Sequence, residues 1–564
     1  MIYYQLAYEK PTRHVLPIEM TLEHTADTPL RLHLPAWRPG RYEIGNFAKN
    51  IVAFEVLDGD GNPLAWRKIS KDCWEVADAR GEVRVRYAYY AHEMNAGSTW
   101  LDGEQLYVNF VNCMLYAENR LDEELEVRLL LNDAFEVVCG LDKKEPFVLS
   151  APDFYRLADS PMMAATHFTH WQYDYAGSTF HIVIKGEHQL DEARVIRDFE
   201  AFTKVQVDAM GDFPCKDYYF LNQFLPYRSY HGVEHFNSTV ITLGPSERMH
   251  EEAYYREFLG ISSHELFHTW NIIRIRPAEM MPYDFSKENY FETGYVAEGV
   301  TTYYGDLFLR RSKVFDQAAY LYELNIYLRR HFEFTDAGTL SVADSSMDLW
   351  LDGYVPGVPF RKSSIYIKGA LVTMLLDLMI RKASKNEQSF DDVMRIMWEE
   401  YGKKGKGYTP ADYREACERV YGADLAAFWK AYVHGNDFEM PAIKAALADA
   451  GFEVKEGQHS SAAASRFGFL TEEKESNLVV SRIAAASAAE AALSVQDELV
   501  AINGRKVEAG NLDALIGDKD EISIHAFRQK KLITINLKAD GMSYFTQYRV
   551  VPMKDAQPLV EGWI

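Results

Sequence analysis

The 564-residue sequence predicts a multidomain α+β protein. Three observations carry that expectation. The chain is too long for one hydrophobic core, at roughly 150 residues per domain. Period-two alternation fills its first third and then gives way to helical periodicity. A small, polar stretch, Glu456–Ser465, reads as a linker ahead of a last β-rich unit. The resulting division is an N-terminal antiparallel β domain over 1–172, a mixed α/β and helical domain over 173–455, a compact unit over 466–540 and a tail over 541–564.

Each element has its own signal. In Glu82–Tyr90 (E-V-R-V-R-Y-A-Y-Y) valines and aromatics interleave with charge, and Glu123–Leu131 does so in part, as half-buried strands do. Turns such as D-G-D-G-N-P (Asp58–Pro63) separate such runs. From about Asp191 the apolar positions fall on one side of a helix. Tyr218–Leu225 and Ser238–Leu243 read as strands, and a long helical region follows to about Ala450. Within it Gly369–Lys382 is apolar nearly all round. Its length and internal Asp377 mark a buried core helix rather than a membrane span.

Composition narrows the function. Hydrophobic residues make up 48% and charged ones 25%, an ordinary globular balance. A formal charge of −23 argues against nucleic acid and anionic membrane as partners, because both select basic surfaces. Cys73, Cys113, Cys139, Cys215 and Cys417 are scattered and never spaced C-x-x-C, so buried free thiols are expected rather than a disulfide framework. With no visible leader and no apolar run long enough to span a bilayer, the expected location is cytoplasmic.

The chemistry concentrates in S-S-H-E-L-F-H-T-W (Ser262–Trp270) and V-A-E-G-V-T-T-Y-Y (Val296–Tyr304). His264 and His268, spaced i, i+4, stand on one helical face and can share a metal ion. Glu298, 30 positions after His268, supplies a third ligand, and the fourth position stays open, as in catalytic zinc sites. Glu265 stands beside the first ligand, where it can take a proton from a water at the metal. These residues indicate a hydrolase with one Zn(2+) per chain, although a His/His/Glu set also accepts other first-row metals.

With those motifs in view, the chain resembles the glycyl aminopeptidase family of PDZ-containing zinc metallopeptidases. The similarity rests on L-P-A-W-R-P-G-R-Y (Leu34–Tyr42), G-V-E-H-F-N-S-T (Gly232–Thr239), H-E-L-F-H-T-W-N with R-I-R-P, and A-E-G-V-T-T-Y-Y. Y-I-K-G-A-L (Tyr366–Leu371) and F-W-K-A-Y-V-H-G-N-D (Phe428–Asp437) extend it into the helical half. The resemblance implies a thermolysin-like catalytic domain behind a β domain, and removal of small N-terminal residues, glycine and alanine, from peptides with a free N-terminus. It assigns Tyr366 to the oxyanion and Glu234 to the substrate's α-ammonium. His235 is expected to shape a subsite. His231 stands where the family pattern usually has glycine, so the first substrate pocket is expected to differ. Ser238–Leu243 is expected to be an open sheet edge that takes up substrate backbone, with Ser238 in the binding site.

Trp270 and Asn271 read as packing and supporting residues of the metal helix. One of Thr301, Thr302, Tyr303 and Asp306 is expected to orient a ligand histidine through its second nitrogen. The last unit resembles a PDZ domain. Phe467, Gly468, Phe469 and Leu470 stand at its carboxylate-binding loop, and Val495-Gln496-Asp497 replaces the usual glycine-containing turn. The resemblance implies a peptide or an intramolecular ligand there, the chain's own E-G-W-I terminus included. Two other readings compete: a zinc endopeptidase or hydrolase of another small substrate, and a PDZ-based binding protein with a vestigial metal site.

Overall fold

The computed structural model describes residues 1–333, 339–355, 357–358, 360–554 and 556–564. The alternating N-terminal segments build a seven-stranded sheet in which Val15–His24 pairs antiparallel with Gly81–Tyr90 along its full length. Their inward residues, Leu16, Ile18, Met20 and Leu22 facing Val83, Val85, Tyr87 and Tyr89, are all buried. One pair is parallel, Ile2–Ala7 with Leu125–Leu130; its neighbours restore the antiparallel pattern. Two four-stranded sheets complete the unit.

The second region opens with the hairpin Thr169–Tyr175 and Ser178–Lys185 and continues as a five-stranded mixed sheet. The helix expected from Asp191 runs over Glu192–Met210, capped by the Asp191 carboxylate accepting from the Arg194 amide. It packs Phe199 and Phe202 against Phe220 of the strand Asp217–Phe224.

Strand order corrects one expectation. Ser238–Gly244 is not the edge: it pairs in parallel with Asp217–Phe224 and antiparallel with Ser229–His235, which is the edge strand. Ser238 is therefore enclosed within the sheet, fully buried and in register with Tyr219 on one side and His235 on the other. The run Ser238–Leu243 is central and buried on both faces, its three hydroxyl residues included.

The metal helix, Glu252–Phe267, follows this sheet, and a helical half packs behind it. The expected buried helix is present as Ile367–Ala383. Its Gly369 meets Gly299 backbone to backbone: a Cβ on Gly299 would stand 2.5 Å from Gly369 Cα, so this crossing admits only glycine. Lys368, one residue earlier and completely buried, is held 3.0 Å from Glu439 and donates to Asn436 Oδ1. The Y-I-K-G motif and the N-D end of the later motif are thus two halves of one buried polar cluster. Burial opposes the charge on Glu439, but His331 and Lys368 outweigh it and hold its pKa at about 2.

The last unit carries the strands Phe469–Lys474, Asn477–Ile483, Glu498–Ile502, Glu521–Arg528 and Lys531–Lys538 around its own core. In the turn that lacks glycine, Gln496 itself adopts φ +71°, and Asp497 closes it by accepting from Ser494 N and pairing with Arg528. The stretch Glu456–Ser465 is more ordered than a linker. Its start belongs to the strand Phe452–Gly457, which pairs with Gln547–Pro552, and its end to the helix Ala462–Phe467. The chain end returns to the helical half, not to the last unit. Trp563 is buried edge-on to Tyr320 and Phe452, and its indole donates to Tyr303 Oη. All five cysteines are buried and free.

Glu439 makes a testable link between pH and stability. Its pKa is depressed from 4.5 to about 2 on folding, so its contribution is complete above about pH 5 and fades as pH falls toward 2. A shift of that size corresponds to on the order of 3 kcal/mol. Urea denaturation should find Glu439→Gln destabilised by about that amount at pH 7, with the gap from wild type narrowing below about pH 5. A gap independent of pH would contradict the assignment.

Candidate metal centre and active site

His264 and His268 leave the end of the metal helix on one face, as the i, i+4 spacing dictates. His268 caps that helix, and Asn271 follows in a tight turn that places Ile272 at φ +87°, a conformation unfavourable for a β-branched residue. That turn aims the Asn271 carbonyl at His268, whose Nδ1–H donates to it at 2.9 Å, so that Nε2 is the nitrogen turned toward His264 and Glu298. The Asn271 amide reaches the other way and donates to Val296 O, Ala297 O and Thr301 Oγ1. Asn271 therefore braces the helix end against the segment that carries Glu298. The residue sought among Thr301, Thr302, Tyr303 and Asp306 is only in part Thr301, 3.4 Å from His268 Nδ1; Asp306 instead accepts from Tyr327.

Glu298 sits in a π-helical turn, Tyr295–Val300, a local widening that recurs at functional sites. The three acceptor atoms converge. His264 Nε2 and His268 Nε2 are 3.0 Å apart, and Glu298 Oε2 is 3.8 Å and 3.4 Å from them. Ligands about 2.0–2.1 Å from a tetrahedral ion stand roughly 3.3 Å from one another, so these atoms fit one divalent cation.

A second cluster shares His268: Glu234, Glu265 and His268 also bring ligand-type atoms within 4.8 Å of one another. Glu265 packs under the edge strand, where a Cβ on Gly232 would come within 2.2 Å of its Oε1, and its Oε2 is buried without a hydrogen bond. Burial and neighbouring carboxylates raise Glu265 well above the carboxylate range and Glu234 to about 7. His268, against the pull of burial, is raised to about 10 by Glu234 and Glu298. Protein charges alone leave this volume too negative, which is the condition a bound cation relieves.

The N-terminal β domain roofs the site. Its Leu34–Tyr42 loop crosses Glu234 at Gly40, where an added Cβ would stand 2.8 Å from Glu234 Oε2. Tyr42 Oη reaches Glu298 Oε1 at 3.5 Å and Tyr42 N donates to Tyr354 Oη. Tyr366, at the start of Ile367–Ala383, faces the same space. Burial and then the charge on Glu298 push its phenol well above its ordinary value, so it stays protonated and able to donate. His235 Nδ1 pairs with Asp159 of the β domain at 2.9 Å, tying the edge strand to the roof. Trp270 is a packing residue, its indole donating to Asp212 O.

Comparison with known families agrees with this arrangement. The Peptidase M61 N-terminal domain matches residues 3–166, M61 glycyl aminopeptidase matches 257–372, and the PDZ domain matches 443–520. The chain belongs to the M61 glycyl aminopeptidase family. It is a metallopeptidase with an N-terminal β domain, a mixed catalytic region and a C-terminal PDZ domain. Among solved structures it is similar to an aminopeptidase N family protein of Idiomarina loihiensis, 27% identical over 100% of both chains with a TM-score of 0.90. A more distant likeness is the M1 zinc metallopeptidase of Deinococcus radiodurans: 14% identity, 78% of this chain and 93% of that one, TM-score 0.48. No curated protein matches the chain.

Within the PDZ domain, Phe467 and Phe469 are fully buried and Gly468 takes φ +78° at the end of a short helix. The segment after the last strand lies on this loop: Tyr544 N donates to Ser465 O, and a Cβ on Gly468 would meet the Tyr544 ring at 3.3 Å. Among the described residues no helix is long and apolar enough to cross a membrane.

Of the residues singled out in the sequence, His264, His268, Glu298, Glu234 and Glu265 fall into two clusters that share His268, and Tyr366 lies within the field of Glu298 and Glu234. Sequence reasoning gave no role to Arg38, Tyr42 or Tyr354, which come from the roof and the helical half. Removing the brace at Asn271 should weaken metal binding about 10- to 100-fold without unfolding the protein. Competition with a chelator, comparing Asn271→Ala with wild type, measures it; equal affinity would contradict the bracing role.

Proposed function

We propose that the protein is a zinc-dependent aminopeptidase that removes small N-terminal residues from peptides. The observation that carries this reading is Glu234: a buried carboxylate beside the metal-type triad but outside it, on the edge strand of the sheet. A fixed carboxylate at that place suits a free α-ammonium, which an endopeptidase substrate does not present there.

His264, His268 and Glu298 would hold the zinc, which when bound supplies an activated water near neutral pH and polarises the scissile carbonyl. Glu265 is the general base that accepts the water's proton and delivers it to the departing amine. Its raised proton affinity suits a group that must both take and give a proton. Tyr366, kept protonated by its surroundings, donates to the developing oxyanion. Glu234 and the backbone of Ser229–His235 align the substrate, the strand edge receiving it by β-addition. The close approach of Gly40 to Glu234 leaves little room beside the substrate's first α-carbon, which supports a preference for glycine and alanine. The PDZ domain is a candidate site for a peptide, and its role is separate from this chemistry.

Three outcomes test the reading. Glu265→Gln should retain zinc and lose about 10²- to 10⁴-fold or more in turnover of a glycyl anilide. Tyr366→Phe should lower kcat about 10²- to 10³-fold with KM little changed. N-acetylation of a glycyl peptide should abolish its cleavage. Normal turnover by Glu265→Gln, or undiminished cleavage of the acetylated peptide, would overturn the proposal.

A further inference from the structure

The roof loop that crosses Glu234 also carries a guanidinium with no acidic partner. Arg38 is 5% exposed, and among the described residues no carboxylate lies within ion-pair distance of it. It donates one hydrogen bond, from Nη1 to Pro39 O at 3.2 Å, and lies flat against Gly97, where a Cβ would stand 2.0 Å from Cζ. Burying an arginine without a counter-charge is costly, and burial does lower its pKa. The next cation differs: Arg41 pairs with Glu43 at 2.7 Å and stacks over Tyr354. Arg38 therefore brings uncompensated positive charge to a cavity of about 370 Å³.

That cavity is polar and adjoins the edge strand. Arg38, Arg41, His231, Asn95, Ser98 and Asn112 are among its lining residues. Burial first, then Arg38 and Arg41, hold the pKa of His231 near 3, so this histidine is a neutral hydrogen-bonding group at physiological pH. Two acidic residues also line the space, but Glu43 is neutralised by Arg41 and Glu93 accepts from Asn95 on the exposed side.

Position along the edge strand gives the cavity its meaning. Along the edge strand Glu234 and Gly232 share one face, the amine anchor and the point above Glu265, and the next residue, His231, lines the Arg38 cavity. A peptide anchored by its amine at Glu234, with its first bond at Glu265, continues toward His231. At about 3.3 Å per extended residue, the distance from Glu234 to His231 is roughly 10 Å, the length of two to three residues.

We propose that Arg38 binds the C-terminal carboxylate of short peptides, which makes di- and tripeptides the preferred substrates. The inference rests on the aminopeptidase reading and on the amine anchor at Glu234. The carboxylate replaces the missing counter-charge, and a guanidinium matches its two oxygens with two parallel N–H donors. Asn95, Ser98 and neutral His231 complete a polar surround. A longer chain, or one with an amidated end, leaves Arg38 unpaired in the complex.

The test compares each peptide with its C-terminal amide, using Gly-Ala and Gly-Ala-Ala on the full-length zinc enzyme. The account expects kcat/KM for the free acid to exceed that for the amide by about 10- to 100-fold, chiefly through KM. Arg38→Gln should bring that ratio close to one, and Arg38→Lys should restore part of it. The ratio is read rather than the rate, so a general loss of activity does not imitate the effect. If Arg38→Gln does not fold, the wild-type ratio and its decline from tripeptide to pentapeptide decide alone. A wild-type ratio near one, or an undiminished ratio in Arg38→Gln, overturns the carboxylate site. Failure of wild type to cleave acid and amide alike would overturn the aminopeptidase reading itself.

Discussion

Three carboxylates, Glu234, Glu265 and Glu298, share one buried volume with His264 and His268, and the rest of the structure serves that arrangement. Buried charge of one sign is tolerated only where something compensates it. Here the imidazoles are too few, as the raised proton affinities of Glu265, Glu234 and His268 indicate. A divalent cation among His264, His268 and Glu298 is the economical remedy. It leaves Glu265 and Glu234 as the two carboxylates outside the cation's shell, the pair to which the proposed function gives the proton transfer and the ammonium contact.

The scaffold keeps these groups from relaxing away from one another. Asn271 ties the metal helix to the Glu298 turn through three donated hydrogen bonds and one accepted one. The glycine crossing at Gly299 and Gly369 sets how closely that turn meets the helix that begins after Tyr366. The buried Lys368–Glu439 pair, two residues beyond Tyr366, pins the same helix from behind. The β domain closes the site from above, with Tyr42 on Glu298 and Asp159 on His235. It is part of the active site as well as a neighbour to it.

What the sequence revealed and what it hid divide by range. His264, Glu265 and His268 were legible because i, i+4 spacing on a helix is a local geometric fact. Glu298 followed from its place 30 positions after His268, whereas Glu234 and Tyr366 needed the resemblance, since nothing local distinguishes Tyr366 from the chain's other tyrosines. The strand edge was misplaced for a physical reason. Ser238–Leu243 looks like a strand because it is rich in β-branched residues, which fit a central strand as well as an edge. The true edge, S-Y-H-G-V-E-H, carries more polar residues, and its glycine answers to the close approach of Glu265. Arg38 was hidden because the absence of a counter-charge is a property of the fold. Its one visible sign is the R-P-G-R segment, two arginines flanking two turn residues with no acid between them. The tail misled in the same way: an apolar terminus announces that it docks, and only the fold says where.

The central claim is that one cation balances the buried carboxylates and that His264, His268 and Glu298 hold it. Anomalous scattering at the zinc edge from crystals of the zinc-saturated protein tests this most directly. The account predicts a single strong peak about 2.0–2.2 Å from His264 Nε2, His268 Nε2 and the Glu298 carboxylate. Lack of a peak there, or a cation seated instead on Glu234 and Glu265, would contradict it.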